Sequence, residues 1–312
     1  MFLNSQKRVP WAPTSLLLLV LYLGGTAPLL ALGGATPLRL VALAVRVGAV
    51  ILLLRLASRR RRGVDGSFEQ LMVDWAPLIL VPALYGELPL LMEGLSGTVR
   101  YHDPTIARLE LSIFGALPAF QWAGQWPSKV LSEVLHACYS SYYALIYLPP
   151  LLLYLGMTGP EPRLGGSTDA FQNTVLAVQV SFLLCFLAFV VFPVQGPRYL
   201  GVPQGVPDGP VRHLVLALLE AGSSRGAAFP SSHVAVATTQ FVMVARYQPR
   251  LSPLVFAISL GLAAGAVYGG FHYAVDVLAG VAVGTLAVPL AGALRHRLEP
   301  SGPDFTSPPG AA

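Results

Sequence analysis

The chain carries Phe229-Pro230-Ser231-Ser232-His233, followed 39 residues later by His272 and, four residues beyond that, by Asp276. Two imidazoles and a carboxylate are a set able to make and break bonds to phosphorus. A carboxylate that holds an imidazole in one tautomer presents the other ring nitrogen as a nucleophile and stabilises the cation formed on attack. A second histidine facing the first can protonate a leaving oxygen. Ser231, Ser232 and the amides of a helix starting beyond Pro230 offer donors to an oxyanion. Arg198, in Gly196-Pro197-Arg198-Tyr199, and Arg225, just before the serines, add fixed positive charge for a phosphate. The expected site is therefore catalytic His233, His272 and Asp276 with substrate-binding Arg198, Arg225, Ser231 and Ser232, and it calls for no metal and no cofactor.

For these groups to meet, the chain between them must cross a membrane and return. Of 312 residues, 54% are hydrophobic and 11% charged, with a mean hydropathy of +0.62, whereas a soluble domain carries roughly 25% charged residues. The expected fold is an all-α, multi-span transmembrane bundle of about eight spans, at roughly 14–34, 38–57, 70–93, 131–155, 171–193, 233–250, 252–271 and 273–294. A helix rises about 1.5 Å per residue, so a span starting at His233 carries the chain inward and the next returns it at His272. Both imidazoles then end at one depth, and Asp276 shares a helix face with His272.

The formal charge of +5 and pI near 9.4 sort by loop. With the amino terminus inside, 12 of the 20 Lys and Arg residues fall on the inner side, Arg59 to Arg62 among them, 7 fall outside, and Arg46 lies within a span. The surplus reads as orientation, without a nucleic-acid partner, and places the histidine pair on the extracytoplasmic face of a multi-pass cell-membrane protein. Lys7 and Arg8 before Leu16 to Leu19 have the look of a signal peptide, but an uncleaved first span is expected. The two cysteines, Cys138 and Cys185, exclude a disulfide framework and a thiolate zinc site. Two outer loops each hold a surface helix that caps the bundle or gates lipid entry. One begins at Asp103-Pro104 with Ile106, Leu109, Ile113 and Phe114 at helical spacing, and has Trp122 and Trp126 as interfacial anchors. In the other, Asp208 and Pro210 precede Val211, Leu214, Val215, Leu218 and Leu219.

The Pro-Ser-Ser-His and His-x-x-x-Asp pair, with Arg198 upstream, resembles the type-2 phosphatidic acid phosphatase superfamily, whose pattern is a basic motif, then Pro-Ser-x-His, then His-x-x-x-Asp. Within it the chain is similar to the inositolphosphotransferase branch that includes fungal inositol phosphorylceramide synthase. That likeness rests on Asp74-Trp75-Ala76-Pro77-Leu78 running on to Tyr85 and Glu87, on the loop from His102-Asp103 to Phe114-Gly115, and on Tyr139, Tyr142 and Tyr143 before Pro149-Pro150. The resemblance implies a six-helix catalytic core within a domain at 70–298. A two-span extension with the arginine run at 1–69 precedes it, and a disordered tail at 299–312 follows. It implies that His272 forms a phosphohistidine with Asp276 as orienting partner, that His233 serves as acid and then base, and that Arg198 and Arg225 bind phosphate. The implied partner is a lipid phosphate or phospholipid, with an alcohol or water as acceptor. Two departures stand out: Gly265-Ala266 occupies the place of a Ser-Arg pair found in many of the phosphatases, and Arg198 lacks a preceding lysine, which makes Arg225 a substitute ligand.

Competing readings are a transporter, which predicts an internal repeat that the sequence lacks, a metal hydrolase built on the same histidines and aspartate, and a non-catalytic lipid-binding relative. Other polar residues are expected to be structural. His102, His136 and His213 read as interfacial, the tyrosines near Tyr142 as core packing, Arg46 and Glu87 as an ion pair, and Asp74 as solvated near the inner end. Glu133 has no evident partner in the sequence.

Overall fold

A computed structural model describes residues 12–60, 68–159, 168–201 and 205–299. Lys7 and Arg8, Arg61 and Arg62, and the expected tail from residue 300 onward lie outside the described residues. Those described are helical almost throughout, with no strand among them and one isolated bridge between Val194 and Ala227. Helices satisfy their own backbone polar groups, which is the condition for crossing hydrocarbon. In chain order they are α1 (Thr14–Leu32), α2 (Pro37–Arg60), α3 (Phe68–Ile79), α4 (Val81–Gly86), α5 (Leu88–Ser96), α6 (Asp103–Phe114) and α7 (Pro118–Gln125). They continue with α8 (Lys129–Ser140), α9 (Tyr142–Tyr154), α10 (Asp169–Val191), α11 (Pro210–Gly222), α12 (Ser232–Tyr247), α13 (Ser252–Tyr268) and α14 (Ala274–Leu298).

Among the described residues five helices are long and apolar enough to span, namely α1, α2, α10, α13 with its leading turn, and α14, and a sixth if α3 to α5, bent by 55°, counts as one. The difference from eight has local causes. Pro77, Pro82 and Pro89 interrupt the expected third span, and the fourth divides at Ser141 into helices of 12 and 13 residues. The sixth is α12, whose 16 residues reach about 24 Å at 1.5 Å per residue. This helix lies at the centre of the bundle against α9, α10, α13 and α14. Protein rather than lipid surrounds it, so the length that hydrocarbon imposes on a span does not apply.

The contact between α12 and α14 is backbone to backbone. A Cβ at Gly280 would stand 2.6 Å from the Ser231 carbonyl oxygen, and one at Gly284 would collide with the Ala235 carbonyl. Two glycines one turn apart let the helices approach in the manner of small-residue membrane interfaces. The Thr239 hydroxyl donates to the Gly284 carbonyl oxygen at 3.1 Å across the seam.

Ion pairs join the first two helices to the rest. The expected Arg46–Glu87 pair forms at 2.7 Å, with Arg46 also donating to the Leu23 carbonyl and the Thr26 hydroxyl. Arg39 pairs with Glu93 at 3.0 Å. At the opposite end of the bundle Arg295 reaches Asp169 at 2.6 Å and Glu299 at 3.1 Å, and Glu299 accepts from the amide and hydroxyl of Thr14. Asp74 departs from expectation: it is 3% exposed, because α3 packs against α1, α2 and α10 and turns that face inward.

Replacing Gly284 by Val should lower the melting temperature of the purified protein in detergent, since overpacking costs about 1–3 kcal/mol. An exposed glycine such as Gly48, with open space at its Cβ position, is the control and should tolerate Ala.

Candidate active site

Ser231 begins α12 as its cap. Its hydroxyl accepts from the Val234 amide at 3.4 Å, and its own amide donates to the Asp276 carbonyl at 3.0 Å. The serine is fully buried, so its side chain serves the helix start, while Ser232 and His233 one and two residues on border a cavity of about 570 Å³. At the start of α14 the Asp276 carboxylate accepts from the Tyr273 amide at 2.8 Å, closing a capping box that fixes the loop carrying His272. The two imidazoles lie 5.8 Å apart, centroid to centroid.

His272 is 4% exposed, and its Nδ1 lies 3.0 Å from the Ala228 carbonyl oxygen and 3.5 Å from Asp276 Oδ2. A carbonyl only accepts, so Nδ1 carries the proton and the lone pair of the neutral ring is on Nε2. The direct hydrogen bond that sets the tautomer is thus to backbone, and Asp276 acts beside it as a close negative charge and as the cap of α14.

Three loops meet at this end of the bundle and are stitched together. The Val194 amide donates to the Gly226 carbonyl, and the Ala228 amide to the Val194 carbonyl, each at 3.0 Å. Gly196 has a φ of +91° and sits where a Cβ would be 3.0 Å from the Phe271 carbonyl oxygen, so both its conformation and its space require glycine. Arg198 donates to the Ser223 hydroxyl at 3.0 Å and lies 4.7 Å from the Tyr199 ring centroid. Arg225 lines the cavity, donates to Gln195 Oε1 at 2.9 Å, and is flanked by the rings of Tyr101 and Tyr199. His233, Ser232 and Arg225 therefore share one cavity, His272 faces His233, and Arg198 reaches the cavity wall through Ser223.

Several residues here escaped the sequence reading. α6 turns Asp103, Ile106 and Glu110 inward. Asp103 accepts from the Gln195 and Gly196 amides at 3.0 and 2.9 Å, which holds the Arg198 loop, and Glu110 accepts from the Val275 amide at 3.1 Å, next to Asp276. One helix thus grips both the arginine loop and the start of α14, and the spacing of the two carboxylates by seven residues on one face was the available signal. Ser223 and Ser224 line the cavity between Arg198 and Tyr85. Glu133 has its partners in the Val211 and Arg212 amides, at 2.9 and 3.1 Å, and so caps α11. Of the three histidines expected at the interface, His213 is exposed, but His136 is buried, with Nδ1 donating to the Ser132 carbonyl at 2.7 Å and its ring edge-on to Phe271. The tyrosines do more than fill the core: Tyr142, Tyr143 and Tyr147 line the cavity. Among the described residues no three His, Cys, Asp or Glu side chains group as a metal site would require.

A family model described as the PAP2 superfamily matches residues 107–290. No curated protein and no solved structure matches the chain.

Burial, opposed by the Val275 amide and reinforced by the Asp276 carboxylate, pushes the Glu110 carboxyl from 4.5 up to about 7. The folded state then holds this proton more tightly than the unfolded chain, so Glu110 makes stability fall as pH rises from 4.5 to about 7. Glu110→Gln, which still accepts from Val275, should flatten that decline in melting temperatures recorded between pH 5 and pH 8.

Proposed function

This chain belongs to the PAP2 superfamily, and we propose that it is an integral-membrane enzyme that moves a phosphoryl or phospho-headgroup from a lipid donor through a phosphohistidine. The observation that carries the reading is the His272 ring, tied by Nδ1 to Ala228 with its Nε2 lone pair uncommitted and a second imidazole 5.8 Å away.

In the first step Nε2 of His272 attacks phosphorus. The bond from phosphorus to the leaving oxygen breaks, its electron pair stays on that oxygen, and His233 gives it a proton. The imidazolium formed at His272 is stabilised by Asp276. In the second step the acceptor hydroxyl loses its proton to His233 and attacks the same phosphorus, and the N–P bond breaks back to His272. Arg198 and Arg225 offset the charge on the non-bridging oxygens. The hydroxyl of Ser232 and the first-turn amides of α12, which have no helical acceptor, add donors.

Water as acceptor gives a phosphatase, and an alcohol gives a transferase. Transfer needs a site that admits a second hydroxyl and excludes water. The likeness of the stretches at Asp74, His102 and Tyr139 to the inositolphosphotransferase branch supports transfer, and the tyrosine-lined cavity of about 570 Å³ beside His233 has room for a second alcohol. The uneven distribution of Lys and Arg supports an extracytoplasmic site in the cell membrane.

Incubation with radiolabelled phosphatidic acid, isoprenyl diphosphate, or phosphatidylinositol with ceramide, followed by alkaline quench, should trap an acid-labile labelled protein with one of these donors. His272→Ala should abolish both the label and turnover, and retained turnover would sink the proposed nucleophile. For sidedness, single cysteines at exposed Glu220 and Arg250 in intact cells should react and fail to react, respectively, with a membrane-impermeant maleimide.

A further inference from the structure

The two histidines are held by different means. His272 is oriented by a hydrogen bond on its second nitrogen, as catalytic imidazoles commonly are. In His233 the corresponding Nδ1 is buried and has no hydrogen-bond partner among the described residues. Its ring lies instead against two phenol rings, Tyr139 at 4.7 Å with 15° between planes and Tyr142 at 4.0 Å with 32°. Two rings that close and that nearly parallel cannot share one face of an imidazole, so His233 is sandwiched.

The sandwich is built by the break between α8 and α9. Tyr139 stands in the last turn of α8, Tyr142 is the first residue of α9, and Ser141 lies between the helices. Both tyrosines are themselves buried, at 4% and 8% exposure. Tyr139 packs on its other side against Phe271 at 4.6 Å, the residue before His272. A continuous stack therefore runs from the His272 loop through Tyr139 and His233 to Tyr142 at the cavity wall.

We propose that Tyr139 and Tyr142 are positioning residues for the proton donor. Their two π faces fix the plane of the His233 ring, in place of the hydrogen bond that its Nδ1 lacks, and aim Nε2, the nitrogen left for the cavity, at the leaving oxygen. The inference rests on His233 acting as the acid in the proposed function. It predicts a selective effect, because a leaving alkoxide must receive the His233 proton as its bond to phosphorus breaks, whereas 4-nitrophenolate departs with the electron pair and needs none.

The test compares kcat/KM of the full chain in detergent for dodecyl phosphate and for 4-nitrophenyl phosphate, with water as acceptor. General acid catalysis contributes about 10²–10⁴-fold, and Tyr139→Leu and Tyr142→Leu should forfeit part of it. Each should lower kcat/KM for dodecyl phosphate about ten-fold more than for 4-nitrophenyl phosphate. Tyr139→Phe, Tyr142→Phe and Tyr142→Trp keep a ring in place and should retain the wild-type ratio between donors. The ratio is internal to each sample, so a loss of folded protein does not mimic the effect. Equal losses on both donors, or an unchanged ratio in the Leu variants, would overturn the proposal. His233→Ala keeping the wild-type ratio between the two donors would instead overturn the reading on which it rests.

Discussion

Because the Ala228 carbonyl occupies Nδ1 of His272, the ring has a single nitrogen to offer and a single orientation in which to offer it. That hydrogen bond joins two segments 44 residues apart, and it can form only if the loop before α12 and the loop before α14 are held at one height. The surrounding structure meets this condition. Gly280 and Gly284 bring the two helices into backbone contact, the Ser231 amide donates to the Asp276 carbonyl, and the bridge at Val194 fixes the strand-like segment that ends in Ala228.

The cost of this arrangement is borne by buried polar groups. Asp103, Glu110 and Asp276 are all at 3% exposure or less, and burial of a carboxylate is unfavourable unless hydrogen bonds compensate it. Here each accepts from backbone amides of a loop that carries a motif residue or starts a motif helix. The amides at such loop ends would otherwise lack partners, while Glu110 Oε1 and Asp276 Oδ1 stay buried with no hydrogen bond among the described residues, so the carboxylates bear the larger share of the cost. α6 is in this sense a template laid across the end of the bundle, with little resemblance to a passive cap.

The class of fold and the histidine site were legible because membrane helices turn residue number into depth: His233 and His272 had to return to one level, and Asp276 to fall beside the second. What eluded the sequence depended on contacts between distant segments. In α6 the apolar residues Leu109, Ile113 and Phe114 are 43–53% exposed, while the buried stripe is Asp103, Ile106 and Glu110. The exposed Leu and Phe suit the interfacial helix that their spacing predicts, whereas the carboxylates turned inward answer to amides of distant loops that the spacing does not name. Glu133 finds its partners 78 and 79 residues away, a pairing that local spacing does not encode. The stack on His233 needed the break at Ser141, and an uninterrupted span was the simpler reading of that apolar run.

The polar latch at the far end of the bundle ties together segments far apart in the chain. Glu299 takes hydrogen bonds from the amide and hydroxyl of Thr14, 285 residues earlier, and pairs with Arg295, which also reaches Asp169 at the head of α10. α1 itself packs against α2, α3, α5 and α10, so Glu299 adds a polar tie to a helix that apolar contacts already hold. The latch therefore fixes the level of α1 along the bundle, while its helical neighbours fix its place around it.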